Sequence, residues 1–213
     1  MEDIRTLIAQ VDLDGLKQLL SRHPELANAG IALGSQDATP AHPLHRICDG
    51  VHLRIYTDEQ ARDMAHIFVG FGANVDGVAL VENKDSPLTA AASLYADLTA
   101  LYYIDEGATI DHPGCHGGTA LHWAAWCGRD AVVRKLIESG APLEKRCKDF
   151  RSTPLFWAIH GYKFGGINNR FHQERCAALL IDAGAVKDTR NAEGTHVLEL
   201  LGPEDGTLKS LLS

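Results

Sequence analysis

The tetrapeptide Thr119-Ala120-Leu121-His122 recurs 34 residues later as Thr153-Pro154-Leu155-Phe156, and Ser86-Pro87-Leu88 precedes it by 33 residues. A period near 33 residues is typical of stacked helix pairs, because one pair cannot bury its own apolar face and must be covered by its neighbours. The repeat therefore predicts an all-α fold built from helix-turn-helix units.

Each unit ends on a Gly-Ala pair, and the distance from the motif to that pair locates two insertions. From Pro87 to Gly107 is 20 positions, whereas from Pro154 to Gly184 is 30. The added residues fall at Asp49 to Thr57 and at Gly161 to Phe171, between the two helices of a pair. Loops on a rigid scaffold tolerate added length and often carry function. Each insertion is therefore a candidate contact segment, or else a simple lengthening of its helices.

Local signals mark where the helices begin and end. Thr119 and Thr153 can cap the first helix of a pair, and His122, or its counterpart His45, can reach back to that cap. The glycines of the Gly-Ala pairs favour the left-handed conformation that ends a helix. Each second helix carries an apolar stripe, which predicts the core of the repeat array.

The stretch from Gly117 to Gly128, continued by Val132 to Ala141, resembles an ankyrin repeat over its whole length. Asp12 to Asn28 resembles the degenerate first repeat that caps such arrays, and Gly194 to Leu212 resembles a trailing cap. The resemblance implies an ankyrin repeat solenoid with short β-turn or hairpin connections. The insertions in the first and fourth full repeats are similar to those of a group of bacterial ankyrin proteins.

The resemblance also implies one ankyrin repeat domain over residues 1–213. Two units depart from the motif, since Thr89 and Phe156 stand where the repeat has histidine, so these units depend more on packing. The predicted boundaries are an N-terminal capping repeat at 1–36, full repeats at 37–77, 78–111, 112–145 and 146–188, and a C-terminal cap at 189–213.

In ankyrin arrays, the resemblance implies, partners bind the concave face made by the hairpin tips and the exposed ends of the first helices. The chain is thus expected to be a non-catalytic protein-interaction scaffold. Trp126 is the leading contact residue, because aromatic side chains at the centre of an interface often dominate affinity. The alternative is that Trp126 and Phe150 pack against neighbouring helices. The predicted partner-binding residues are Trp126, His160, His116, Phe150, Cys115, Asp149, Ser93, Asn83 and Asp49.

A carboxylate follows each Gly-Ala pair, at Asp76, Asp111, Glu144 and Asp188. Stacked repeats would place these residues in a row that could steer a basic partner. The alternative is that each carboxylate accepts backbone N–H bonds within its own turn.

Composition limits the class of partner and the compartment. The 213 residues carry a formal charge of −8, which disfavours nucleic-acid binding and favours a neutral or basic protein partner. Five cysteines without paired spacing suit a reducing compartment. No basic signal segment and no long apolar run are present. We therefore expect a cytoplasmic monomer that does not associate with membranes.

Two rival functions remain open at this stage. One is a metal site formed by His42, His45, Cys48 and His52. The spacing of these residues does not place them on one tight helical face, and His45 already has a capping role. The aromatic second insertion could instead make the chain a self-associating structural protein. No phosphate loop, dinucleotide fingerprint or nucleophile elbow is present, so no catalytic residue and no cofactor are predicted. A second possible metal group consists of His112, Cys115 and His116.

Overall fold

A computed structural model describes residues 3–32, 40–79, 81–82, 84–165 and 170–213, with the backbone alone for residues 170 and 171. Eleven α-helices lie in these ranges, joined by turns and short 3-10 helices, and the predicted all-α repeat fold is confirmed. The helices are α1 (Ile4–Gln10), α2 (Leu13–Arg22), α3 (Pro43–His52), α4 (Asp58–Gly70), α5 (Pro87–Ser93), α6 (Asp97–Asp105), α7 (Ala120–Cys127), α8 (Asp130–Glu138), α9 (Pro154–Phe164), α10 (Arg170–Asp182) and α11 (Gly206–Leu212).

The first helix of each pair begins at the residue that the motif predicts. The Thr153 hydroxyl accepts a hydrogen bond from the Phe156 N–H at 3.4 Å. The Nδ1 atom of His122 lies 3.1 Å from the Thr119 backbone nitrogen, which closes a capping box. At α3 the cap is His42, whose Nδ1 accepts the N–H two residues further on. These side chains satisfy N–H groups that have no partner within their helices.

The predicted helix ends are confirmed as well. A glycine with positive φ follows each second helix, in the region that other residues adopt only at a cost. This conformation turns the chain out of the helix towards the next repeat. The four glycines are Gly72 (φ 89°), Gly107 (φ 85°), Gly140 (φ 84°) and Gly184 (φ 99°).

The chain divides into two compact units. We call 1–80 with 86–109 the N-terminal unit and 81–85 with 110–213 the C-terminal unit. The N-terminal unit has 14 acidic and six basic residues, which accounts for the whole net charge of −8. The C-terminal unit has 14 of each and contains all three tryptophans. The two units therefore differ in charge and aromatic content although both consist of the same repeat.

In the N-terminal unit, α3 contacts α4 and α5, and α4 contacts α2 and α6. Leu44, Phe68 and Tyr103 are fully buried between these helices, and the Tyr103 hydroxyl donates to the Leu44 carbonyl at 2.7 Å. Asp58 at the start of α4 accepts hydrogen bonds from the backbone N–H groups of Leu98 and Thr99 at the start of α6. A side chain of one repeat thus caps a helix of the next.

The first insertion partly extends a helix and partly forms a turn. α3 runs for 10 residues, against seven in α5. Tyr56 is 8% exposed because its ring packs on Gly50, where a Cβ atom would overlap it. Leu53 and Ile55 are 53% and 54% exposed. The insertion therefore leaves two apolar side chains at the surface.

The second insertion also lengthens its helix, since α9 has 11 residues against eight in α7. α9 lies close to α7 because Gly161 faces the Trp126 carbonyl, which a Cβ atom would overlap. At the end of α9, the Lys163 ammonium donates to Asp205 at 2.6 Å. The rest of the predicted insertion, 166–169 and the Phe171 side chain, lies outside the described residues.

The row of carboxylates has a structural role that the sequence analysis did not anticipate. Asp76 accepts from the Thr109 N–H at 2.8 Å and from its hydroxyl at 2.7 Å. Glu144 accepts from the Val186 N–H at 2.8 Å. These partners lie in the following repeat and not in the same turn. Both carboxylates therefore link successive repeats within their own unit.

Candidate partner-binding surface

A cavity of about 260 Å³ opens between α7, α9 and three hairpin tips of the C-terminal unit. We call it the aromatic cavity. Four of the predicted partner-binding residues meet there: Trp126, His160, His116 and Phe150. The described lining is His116, Trp123, Trp126, Phe150, Ser152, Phe156, Trp157, His160 and Asn191.

Two helices supply most of the aromatic wall. Trp123 and Trp126 are three residues apart on α7, and Trp157 and His160 are three apart on α9, so each pair lies on one face of its helix. Trp126 stacks on His160 with ring centroids 4.8 Å apart. Trp157 meets Trp123 edge to face at 5.1 Å. Such arrangements are favoured by the ring quadrupoles, so the walls hold one another in place.

The hairpin tips complete the cavity and are fixed by backbone hydrogen bonds. The His116 carbonyl accepts from the N–H groups of Lys148 and Asp149 at 3.1 and 3.2 Å. The Phe150 carbonyl accepts from the Ala192 N–H at 2.7 Å. The tip that carries Phe150 is thus held by the tips on both sides of it, which reduces the entropy lost when a partner docks.

A polar pair lies at the edge of the cavity. The Nδ1 atom of His116 is 2.8 Å from an Asp149 carboxylate oxygen, and both side chains are about half exposed. An exposed pair of this kind adds little stability. It does place a negative charge beside the aromatic lining.

Two enclosed polar atoms of the lining have no hydrogen-bond partner among the described residues, Trp123 Nε1 and His160 Nδ1. Burial lowers the pKa of His160, so this ring is neutral at physiological pH. Enclosed polar atoms without partners are uncommon in folded proteins and often mark a water or ligand position.

Apolar surface extends from the cavity to solvent. Phe150 is 49% exposed, and Phe164, whose ring centroid lies 4.5 Å from that of His160, is 62% exposed. An exposed cluster of large aromatic side chains is typical of an interaction surface. The sequence analysis placed Phe164 only within an insertion.

The remaining predicted contact residues do not line the cavity. Cys115 is half-buried beside the tip. Ser93 and Asp49 belong to the N-terminal unit, and Asp49 is mostly buried in an ion pair with Arg46 at 2.8 Å. Asn83 lies outside the described residues. Asp149 lies at the edge of the cavity, where it pairs with His116.

Sequence reasoning missed part of the site. It did not name Trp123 or Trp157 as contact residues, whereas both line the cavity. The signal that could have found them is the i, i+3 spacing shared with Trp126 and His160 in equivalent helices of adjacent repeats.

Two members of the possible metal group in the N-terminal unit, His42 and Cys48, serve the fold. The Nε2 atom of His42 lies 3.1 Å from the Asn28 side-chain oxygen, and burial lowers the pKa of His42 to about 4. The Cys48 thiol donates to the Leu44 carbonyl. Across the described ranges, no three His, Cys, Asp or Glu side chains converge as a metal ion would require. A metal site was the rival hypothesis and not the prediction, and it can be tested by metal analysis of the purified protein and by melting with a chelator.

The longest described helices, α4 and α10, have 13 residues each. Within the described part of the chain, no helix combines the length and the apolar character needed to span a bilayer.

Comparison with known families agrees with this architecture. A family model for ankyrin repeats, in three copies, matches residues 8–149. The chain belongs to the ankyrin repeat family. Ankyrin repeats are protein–protein interaction modules and are generally non-catalytic. The match includes α7, whereas α9, which provides the other helical wall of the aromatic cavity, lies beyond it.

Three curated relatives show partial similarity. Palmitoyltransferase Hip14 of Drosophila melanogaster is 29% identical over 97 residues, 46% of this chain and 14% of the relative. Ankyrin repeat and SOCS box protein 9 of Homo sapiens is 36% identical over 95 residues, 45% and 28% of the two chains. Putative palmitoyltransferase ZDHHC13 of Danio rerio is 38% identical over 56 residues, 26% and 9%. The matched segments thus span less than a third of each relative.

Proposed function

We propose that this ankyrin repeat protein is a non-catalytic scaffold that binds a partner protein through the aromatic cavity and its exposed edge. The observation that carries the proposal is the convergence of Trp126, His160, His116 and Phe150 on one cavity. These residues come from two helices and two tips of neighbouring repeats. Their convergence on one partly exposed apolar site suits an interface centre.

Rigidity supports the same proposal. Trp126 is stacked on His160, and its carbonyl accepts from the Gln173 side chain at 2.6 Å. The tip that carries Phe150 is held by backbone hydrogen bonds to the tips on both sides of it. A surface that is ordered before binding loses little conformational entropy on docking, so more of the contact energy contributes to affinity.

The proposed partner is a neutral or basic protein in the cytoplasm, and the chain itself is a monomer. The charge of −8 favours such a partner through long-range attraction. Light scattering of the eluting protein would check the monomer, because self-association through the exposed Phe164 would give a concentration-dependent mass.

Catalysis is not part of the proposal. Two of the relatives are named palmitoyltransferases, but the matched segments cover 14% and 9% of their lengths. Such short segments support the shared repeat and do not carry an enzymatic activity to this chain.

The test is affinity capture from a native lysate with three baits. Wild type and the Leu53→Ser, Ile55→Ser double variant should retain the same partner, because those exposed side chains lie in the N-terminal unit. The Trp126→Ala, Phe150→Ala double variant should lose it while remaining folded by circular dichroism. Retention of the partner by all three baits would contradict the proposed surface.

A further inference from the structure

We propose that the aromatic cavity receives a cationic side chain of the partner, an arginine or a lysine with or without methyl groups. This inference rests on the proposed function and specifies the chemistry that the cavity recognises.

The walls consist of aromatic faces. Three indoles, two phenyl rings and two imidazoles line the cavity. A cation over an aromatic face is attracted by the ring quadrupole, and indole gives the strongest attraction of the natural side chains. Arginine also stacks flat on aromatic rings, while methylated ammonium groups fit enclosures made of several rings.

The charges around the cavity complement a cation. No lysine or arginine is among its described lining residues, and the Asp149 carboxylate lies at the edge on His116. Two nearby cations are directed to other groups, and the first is the Arg146 guanidinium, which donates to the carbonyls of Arg151 and Arg190. The Lys148 ammonium is 3.4 Å from the Glu82 carboxylate. A cation that enters would therefore meet aromatic faces and one negative charge.

The protonation state of His160 is compatible with this occupant. Because burial lowers the pKa of His160, the ring stacked on Trp126 is uncharged and does not repel a cation. The volume of about 260 Å³ accommodates one long side chain. The cavity is thus a site for a single residue, and the exposed Phe150 and Phe164 remain available to the segments that flank it.

The experiment uses the full chain labelled with ¹⁵N and follows the indole N–H signals of its three tryptophans, each assigned with a Trp→Phe variant. The cationic probes are N-acetyl-arginine amide and N-acetyl-trimethyllysine amide. N-acetyl-citrulline amide is the uncharged analogue of the first probe, and N-acetyl-leucine amide is an apolar control.

At least one cationic amide should shift the Trp126 signal in a saturable way, with an affinity at least tenfold above both neutral amides. In the Trp126 variants the titration is followed on the Trp123 and Trp157 signals, which also belong to the lining. Trp126→Phe should weaken the affinity about two- to fivefold and Trp126→Leu about tenfold or more, following the order of cation–π strength. Leucine amide binding as tightly as the cations would show an apolar pocket instead.

Two further results would overturn the inference. One is saturable cation binding that Trp126→Leu does not weaken, which would place the cation elsewhere. The other is no saturable shift from either cation with a dissociation constant below about 20 mM. Because no partner protein is present, such a failure is separable from the capture experiment, in which loss of the partner by the Trp126→Ala, Phe150→Ala variant would still support the proposed function.

Discussion

The N-terminal and C-terminal units use the same repeat to make two different surfaces. The N-terminal unit carries the whole excess of acidic residues and closes its helix starts with side chains such as Asp58. The C-terminal unit is neutral and gathers its tryptophans around an open cavity. The repeat therefore fixes the scaffold, and residues such as the tryptophans of the first helices give each unit its own surface.

The two insertions sharpen this contrast. In the N-terminal unit, the inserted turn returns Tyr56 onto Gly50 and leaves Leu53 and Ile55 in solvent. In the C-terminal unit, the added turn of α9 lies directly against the backbone of α7 at Gly161. A side chain can move away from a glycine that it contacts, whereas a helix backbone cannot. The contact at Gly161 therefore sets how closely α9 approaches Trp126.

Acidification should give the largest loss of stability, and it should affect both units. His122 in the C-terminal unit is fully buried, and burial lowers its pKa to about 4, as it does for His42 in the N-terminal unit. Between about pH 6.5 and pH 4 the unfolded chain binds a proton that the folded chain does not, so stability falls as the pH decreases. The expected loss from His122 alone is on the order of 2 kcal/mol at pH 5.

Urea unfolding at pH 7 and pH 5 checks this prediction. His122→Gln keeps a side chain that can complete the capping box but does not titrate, so it should lose less stability between the two pH values than wild type does. An equal loss in wild type and variant would contradict a neutral His122 in the folded state.

Alanine substitutions at three glycines should show that the two insertions differ in how much stability depends on their contacts. Gly161→Ala forces α9 away from the Trp126 carbonyl and should destabilise the protein by about 2–3 kcal/mol. Gly50→Ala meets the Tyr56 ring, which can rotate outward, and should cost about 1 kcal/mol. Gly70→Ala meets no neighbouring atom and should change stability by less than about 0.5 kcal/mol. Thermal unfolding gives the order of stability of the three variants. If the Gly50 variant were less stable than the Gly161 variant, the proposed difference between the two insertions would be wrong.

A cap that joins two repeats should have an intermediate effect. Asp58→Ala removes the acceptor for the Leu98 and Thr99 N–H groups at the start of α6 and should cost about 1–2 kcal/mol. Glu59→Ala, next to it and exposed, should cost much less. If both variants lost the same free energy of unfolding in chemical denaturation, Asp58 would stabilise only its own helix, α4.

The smallest effect is expected at the exposed residues of the first insertion. The Leu53→Ser, Ile55→Ser double variant should stay within about 0.5 kcal/mol of wild type, because both residues are more than half exposed. A larger loss in urea unfolding would mean that these side chains are covered in solution, and would point to self-association through the N-terminal unit.

The sequence predicted the parts of the fold that depend on local chemistry. Capping residues such as Thr153 and closing glycines such as Gly140 act on their own neighbours in the chain, so their positions could be found by inspection. The carboxylates that follow the Gly-Ala pairs were harder to interpret, because Asp76 bonds to a residue 33 positions away. Contacts between repeats depend on the stacking geometry, which a motif does not encode.

The candidate site was predictable only in part for the same reason. Trp126, His160, His116 and Phe150 could be placed on one face by counting from the motif. That Trp123 and Trp157 would line a cavity depends on how closely α7 approaches α9. That approach is set by Gly161, which looks like an ordinary loop glycine in the sequence.

The most direct test of the central claim compares two equally exposed positions, one in each unit. The photoreactive residue p-benzoylphenylalanine would replace Phe150, which is 49% exposed, or Ile55, which is 54% exposed, and each protein would be irradiated in native lysate. We predict that position 150 crosslinks to the partner recovered by wild-type capture and that adding Trp126→Ala abolishes this product. Crosslinking of that partner from position 55 and not from position 150 would contradict the account.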